Sequence, residues 1–204
     1  MTLVKICGLM RDEDIGYVNR SSPDMAGFIM CPGFRRTRST EEAKKMVGNL
    51  SKDILSVGVF LDQSPDEVKS VTDAVGFDII QLHGHEDNGY IEKIKDITGK
   101  KVIKAFTVRT EEDILSAEES SADLVLLDGG AGEGSAFDWS IIDSVGRDYI
   151  LAGGLTPDNV GDAVLKLRPY AVDASSGIET EQLKDEQKIS DFIRAVRTAD
   201  GDLS

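Results

Sequence analysis

At 204 residues and 40% hydrophobic content, the chain is long enough to bury a large core as one domain. Its formal charge of -14 argues against nucleic acid and anionic lipid as partners, and no run approaches the roughly 18 apolar residues of a membrane span. The N-terminus is patterned as a strand and lacks the features of a signal peptide, so a cytoplasmic protein is expected, in which any anionic ligand is held by local cations, helix N-termini or backbone amides.

Short β-branched runs alternate with amphipathic segments from end to end, the pattern of a parallel sheet covered by helices. Strands are predicted at Leu3 to Cys7, Met25 to Met30, Ile54 to Leu61, Asp78 to His83, Lys101 to Val108, Leu124 to Asp128, Tyr149 to Ala152 and Ala171 to Ser175. A helix is expected after each, starting near Arg11, after Ser39-Thr40, after Ser64-Pro65 and after Glu86. The later helices open at Thr110 to Asp113 as a capping box, at Asp138-Trp139, at Thr156-Pro157 and at Asp185, the last running towards Val196.

Eight consecutive βα units leave no room for a linker, which makes the α/β fold a single-domain (β/α)8 TIM barrel over residues 1–198 with a frayed tail at 199–204. A doubly wound open sheet is the alternative, but it needs a glycine-rich fingerprint after the first strand, whereas here the glycine-rich turns follow the sixth, seventh and eighth. In a barrel, functional groups belong at the C-terminal strand ends and phosphate binds after strands seven and eight.

Those strand ends collect Cys7, Gln81, His83, Asp128, Asp173 and Ser175, with Arg36 in the loop after strand two. Cys7 ends the run Lys5-Ile6-Cys7-Gly8-Leu9, where a thiol is open to being a base, a nucleophile or a small apolar filler. The two-residue period puts Lys5 on the face of Cys7, and an inward Lys5 needs a partner, for which Asp173 is the candidate.

Ala152-Gly153-Gly154-Leu155-Thr156-Pro157 is either a tight turn or a phosphate cradle, and Ser175-Ser176-Gly177 at the next strand end favours the cradle. The glycine-rich stretch from Gly129 to Ser135 is a flexible loop or a lid over Asp128. His83-Gly84-His85 lacks a third ligand, so no metal is expected, and Cys31 is assigned as a small apolar loop residue. Arg35-Arg36-Thr37-Arg38 is a solvated cluster or, given its loop, a device for bidentate capture of a carboxylate.

Together Lys5-Ile6-Cys7-Gly8-Leu9, Gly27-Phe28, Val57-Gly58-Val59-Phe60, Gln81-Leu82-His83-Gly84, Val102-Ile103-Lys104-Ala105, Leu126-Leu127-Asp128, Phe137-Asp138-Trp139, Ala152-Gly153-Gly154-Leu155, Asn159-Val160, Arg168-Pro169-Tyr170, Val172-Asp173 and Ser175-Ser176-Gly177 resemble the phosphoribosylanthranilate isomerases of tryptophan biosynthesis over nearly the whole chain. The resemblance implies a cofactor-free Amadori rearrangement of N-(5-phosphoribosyl)anthranilate to 1-(2-carboxyphenylamino)-1-deoxyribulose 5-phosphate; the expected partner is this phosphorylated small molecule, and the chain is expected to be a monomer or homodimer. It implies that Asp128 is the general acid, Cys7 the general base and Arg36 the anthranilate-carboxylate ligand. Gln81, His83, Asp173, Gly153, Gly154, Ser175, Ser176 and Gly177 are then the remaining substrate contacts.

Thiolate is the minority form of an unperturbed cysteine at neutral pH, so Cys7 needs nearby positive charge or a helix amide to act as a base, and Lys5 is a candidate for that help. The chain departs from the family pattern at Met10, at Cys31, at His85, and where Ser135 and Ala136 precede Phe137 in place of a lysine. The competing assignments are the related isomerase of histidine biosynthesis, which Cys7 in place of an aspartate base opposes, and a non-catalytic barrel that binds phosphorylated metabolites.

Overall fold

The computed structural model describes residues 1–130, 142 and 145–202. Eight parallel strands close into a barrel in sequence order: β1 (Leu3–Cys7), β2 (Met25–Ile29), β3 (Leu55–Phe60), β4 (Ile79–Leu82), β5 (Lys101–Thr107), β6 (Leu124–Asp128), β7 (Tyr149–Ala152) and β8 (Ala171–Ala174). The seam between β1 and β8 pairs Lys5 with Asp173. Helices α1 (Asp12–Ser21), α2 (Thr40–Gly48), α3 (Pro65–Val75), α4 (Asn88–Thr98), α5 (Glu111–Glu118), α6 (Val160–Leu167) and α7 (Glu186–Asp202) complete the described elements. The helix expected from Asp138-Trp139 and most of the glycine-rich stretch lie outside the described residues.

The strands alternate between two cores, as their period of two requires. Val57, Ile103, Leu126, Ile150 and Ala171 fill the barrel interior. Val4, Ile6, Phe28, Phe60, Ile80, Val125 and Val172 face outward into the larger layer shared with the helices. Helix starts follow local chemistry: Ser39 and Ser64 accept from the backbone of Glu42 and Glu67, and the Asp113 carboxylate accepts from Thr110 N at 2.9 Å.

Three local expectations need correction. Pro157, Asp158 and Asn159 form a turn whose first carbonyl, Thr156 O, already accepts from Asn159 N and Val160 N, but the regular helix α6 starts only at Val160, after Asn159 departs from helical backbone angles with φ of -117°. A short antiparallel hairpin of β9 (Glu179–Thr180) and β10 (Leu183–Lys184) follows β8, turning at Glu181 and Gln182 with φ of 49° and 65°. That turn lacks the Asn-Gly or Asp-Gly signature of such backbone angles and so escapes sequence reading.

The third correction concerns the C-terminus, where residues 199–202 continue α7 instead of fraying. Ala199 extends the buried stripe of Ile189, Phe192 and Val196. Asp200 accepts from Thr2 N at 2.9 Å and from Thr2 Oγ1 at 2.8 Å, while Arg197 reaches Thr2 O and the Asp24 carboxylate. The last helix thus anchors the start of the first strand. Asp200→Ala should lower stability by about 1–3 kcal/mol in urea unfolding, and an unchanged midpoint would show that the tail carries no load.

Candidate active site

Along β1 the inward positions are Leu3, Lys5 and Cys7, and the first of these leaves the second deep in the barrel. Lys5 is fully buried, with Nζ 3.0 Å from Asp173 Oδ2 across the seam. This is ion-pair distance without hydrogen-bond alignment, and Asp173 Oδ1 accepts no bond among the described residues. Burial opposes the Lys5 charge, yet Asp173 and the Cys7 sulphur outweigh it and hold the ammonium above its ordinary value.

Cys7 stands two residues nearer the mouth and is 7% exposed. Burial pushes its thiol above the usual range, and Asp173 adds to that. Lys5 and, more weakly, Lys184 pull it down without reversing the balance. Ionisation of Cys7 is therefore set by a contest between burial and Asp173 on one side and Lys5 on the other.

Across the mouth, β6 ends in Asp128, whose Oδ1 accepts from Gly130 N at 2.9 Å and whose Oδ2 lies 4.0 Å from His83 Nε2. A Cβ on Gly153 would fall 2.7 Å from Asp128 Oδ1, so only glycine there, at φ 97°, lets the carboxylate stand where it does. Desolvation lowers the His83 pKa against the pull of Asp128, favouring neutral imidazole. The Gln81 amide lies 3.2 Å from His83 Nδ1; as that amide is oriented, the ring proton sits on Nε2, facing Asp128.

The arginine cluster stitches loops together. Arg38 donates to Met10 O, whereas Arg35 and Arg36 both reach Glu179 in the β9–β10 hairpin. The Arg36 stem crosses Gly8, where a Cβ would fall 2.5 Å from Arg36 Cδ. Burial alone would raise the Glu179 carboxyl, but bonds from Arg36 and Lys184 bring it to about 2. Lys184, itself almost fully buried, also donates to Ser175 O at 2.8 Å and so ties the hairpin to the end of β8.

Beside this lie the two turns expected to hold phosphate. Gly153 and Gly154 both have positive φ, and Ser176–Ile178 forms a 3-10 turn against the Leu155 carbonyl, leaving no room for a side chain at Gly177. Cys7, Arg36, Gln81, His83, Asp128, Gly153, Gly154, Asp173, Ser175, Ser176 and Gly177 all line one cavity of about 320 Å³. A larger cavity of about 510 Å³ lies at the opposite mouth among Leu3, Met25, Leu55 and Leu124. Its lining also carries Asp78, Asp123, Asp148, Lys100 and Lys101, but Asp78 and Asp123 are taken up by the backbone N–H groups of Ser56 and Val102, and in this fold that face serves stability.

Other singled-out residues lie elsewhere or act structurally. His85 is exposed and pairs with Asp62 at 2.9 Å. Cys31 is buried, and both cysteines are free. Sequence reasoning missed Glu179 and Lys184, and also the buried pair of Glu86 and Lys104 at 3.2 Å, in which Glu86 accepts from Asp62 N and Gly84 N. Glu179 meets Arg36 and Glu86 meets Lys104 only through contacts between segments distant in sequence, which no local spacing signals.

A thiol, a carboxylate, a guanidinium and amide-rich turns around one barrel mouth fit a (β/α)8-barrel isomerase acting on a phosphorylated sugar derivative. Residues 4–195 match the family described as PRAI, N-(5'phosphoribosyl)anthranilate (PRA) isomerase. The N-(5'-phosphoribosyl)anthranilate isomerase of Acetivibrio thermocellus is 43% identical, with 98% of each chain covered. A crystal structure of phosphoribosyl anthranilate isomerase in complex with reduced 1-(o-carboxyphenylamino)-1-deoxyribulose 5-phosphate superposes with a TM-score of 0.87 at 35% identity, covering 97% of this chain and all of the other. The Thermotoga maritima isomerase, described as dimeric and crystallised as generated monomers, gives 0.86 at 35% identity over the same shares. The chain belongs to the N-(5'-phosphoribosyl)anthranilate isomerase family and is an isomerase carrying out its Amadori rearrangement.

The buried pair yields a test of the site's framework. Lys5→Met strands Asp173 in the barrel and should cost about 3–5 kcal/mol in urea unfolding. Lys5→Met with Asp173→Asn should recover most of that loss. Equal losses in single and double variants would show that the pair is not a unit.

Proposed function

We propose that Cys7 and Asp128 are the two proton-transfer groups of the rearrangement. Asp128 protonates the furanose ring oxygen of N-(5'-phosphoribosyl)anthranilate as the C1–O bond breaks, giving an open-chain iminium. The Cys7 thiolate takes the proton from C2, and the electron pair forms the C1–C2 double bond while the iminium nitrogen becomes neutral. The resulting enolamine gains a proton at C1 and loses one from the C2 hydroxyl, giving the ketone. The sequence is redox-neutral overall and needs only proton transfer.

Arg36 takes the anthranilate carboxylate, and the turns at Gly153-Gly154 and Ser175-Ser176-Gly177 take the phosphate through backbone amides. Neutral His83 presents its Nε2 proton towards Asp128 and orients the acid, with Gln81 fixing the tautomer. Lys5 supplies the charge that favours thiolate in Cys7, while Asp173 tempers it.

The observation that carries this reading is the shared cavity: thiol, carboxylate, guanidinium and two glycine turns line the same 320 Å³ space, although they come from five separate strand-end loops. Following the fluorescence of phosphoribosylanthranilate as it disappears tests it. Wild type should turn over, and Cys7→Ala and Asp128→Ala should each lose about 10²- to 10⁴-fold in kcat. Turnover retained in either variant would remove that residue from the mechanism.

A further inference from the structure

Glu179 takes three cations, more than any other carboxylate among the described residues, with a side chain only 5% exposed. Its Oε1 lies 2.8 Å from Arg36 Nε and 2.9 Å from Lys184 Nζ. Its Oε2 lies 3.0 Å from Arg36 Nη2 and 2.8 Å from Arg35 Nη2. Three positive charges on one negative leave the cluster with a surplus of two, so Glu179 does not cancel the attraction for an anion in a chain of net charge -14.

A guanidinium has two edges that can hold a carboxylate through paired N–H bonds: the side edge, Nε with one terminal nitrogen, and the end edge, the two terminal nitrogens. Glu179 occupies the side edge of Arg36. Nη1 donates to no described residue, and Arg36 lines the cavity. With the stem laid across Gly8 and the side edge locked, the guanidinium has little freedom left, and its open end edge is the one available to a ligand.

We propose that Glu179 is a positioning residue, which fixes the side edge of Arg36 so that the end edge, Nη1 and Nη2, receives the aryl carboxylate of the ligand. This deepens the assignment of Arg36 above and rests on it. The opposite role is that of a competitor, in which Glu179 holds Arg36 away from the ligand carboxylate. The two roles predict opposite signs.

The probes are reduced 1-(o-carboxyphenylamino)-1-deoxyribulose 5-phosphate and the same compound without its aryl carboxyl group, titrated calorimetrically into wild type, Glu179→Gln and Glu179→Asp. Glu179→Gln should bind the carboxylated compound at least about tenfold more weakly than wild type does and the decarboxylated one within about twofold of it. In turnover, its KM should rise while kcat stays within about threefold. Glu179→Asp keeps the charge one methylene short and should show a smaller loss in the same direction, which decides the matter should the Gln variant not fold.

Equal or tighter binding of the carboxylated compound by the variants would overturn the proposal, and so would an equal loss for both compounds, the mark of general damage. Failure of wild type to prefer the carboxylated compound would instead overturn the assignment of Arg36 and this inference with it.

Discussion

The buried ion pair of Lys5 and Asp173 sits where the barrel closes and joins the first strand to the last beside the cavity. An ammonium with no access to solvent is costly unless an anion shares its space, and the register of β1 against β8 supplies one from the opposite end of the sequence. The same ammonium lies beneath the Cys7 sulphur. Lys5 thus pairs with Asp173 at the closure of the barrel and also pulls against the burial that keeps Cys7 protonated.

Positive potential in this acidic protein is local. Lys5 is buried beside Asp173, and Arg35, Arg36 and Lys184 gather around Glu179, with Arg36 reaching the wall of the cavity. Two features needed for that wall have nothing to do with charge. Gly8 clears the path of the Arg36 stem, and the β9–β10 hairpin brings Glu179 and Lys184 together at its base. The glycine turns proposed to hold phosphate line the same cavity and offer backbone amides to it.

Much of this was legible in the chain because the barrel converts a one-dimensional pattern into position. Strand ends map to one mouth, so Cys7, His83, Asp128 and Ser175 could be grouped without any contact being known. The period of two placed Lys5 beneath Cys7, and the need of a buried cation for a partner pointed to Asp173. Glu179 could not be found that way, because it lies 143 residues from Arg36 and belongs to a hairpin whose turn residues, Glu181 and Gln182, carry no turn signal. Glu86 was equally hidden, its burial beside Lys104 being a matter of loop packing. The final turns of α7 were masked by polar composition, although Ala199 continues the spacing of Phe192 and Val196.

Competition of Cys7 and Asp173 for Lys5 is read most directly in the pH dependence of Cys7 alkylation by iodoacetamide, with Cys31→Ala as the common background. Relative to that background, Lys5→Met should move the alkylation profile to higher pH and Asp173→Asn should move it to lower pH, since one removes the cation and the other releases it. Profiles that coincide, or that move in the same direction in both variants, would contradict the account.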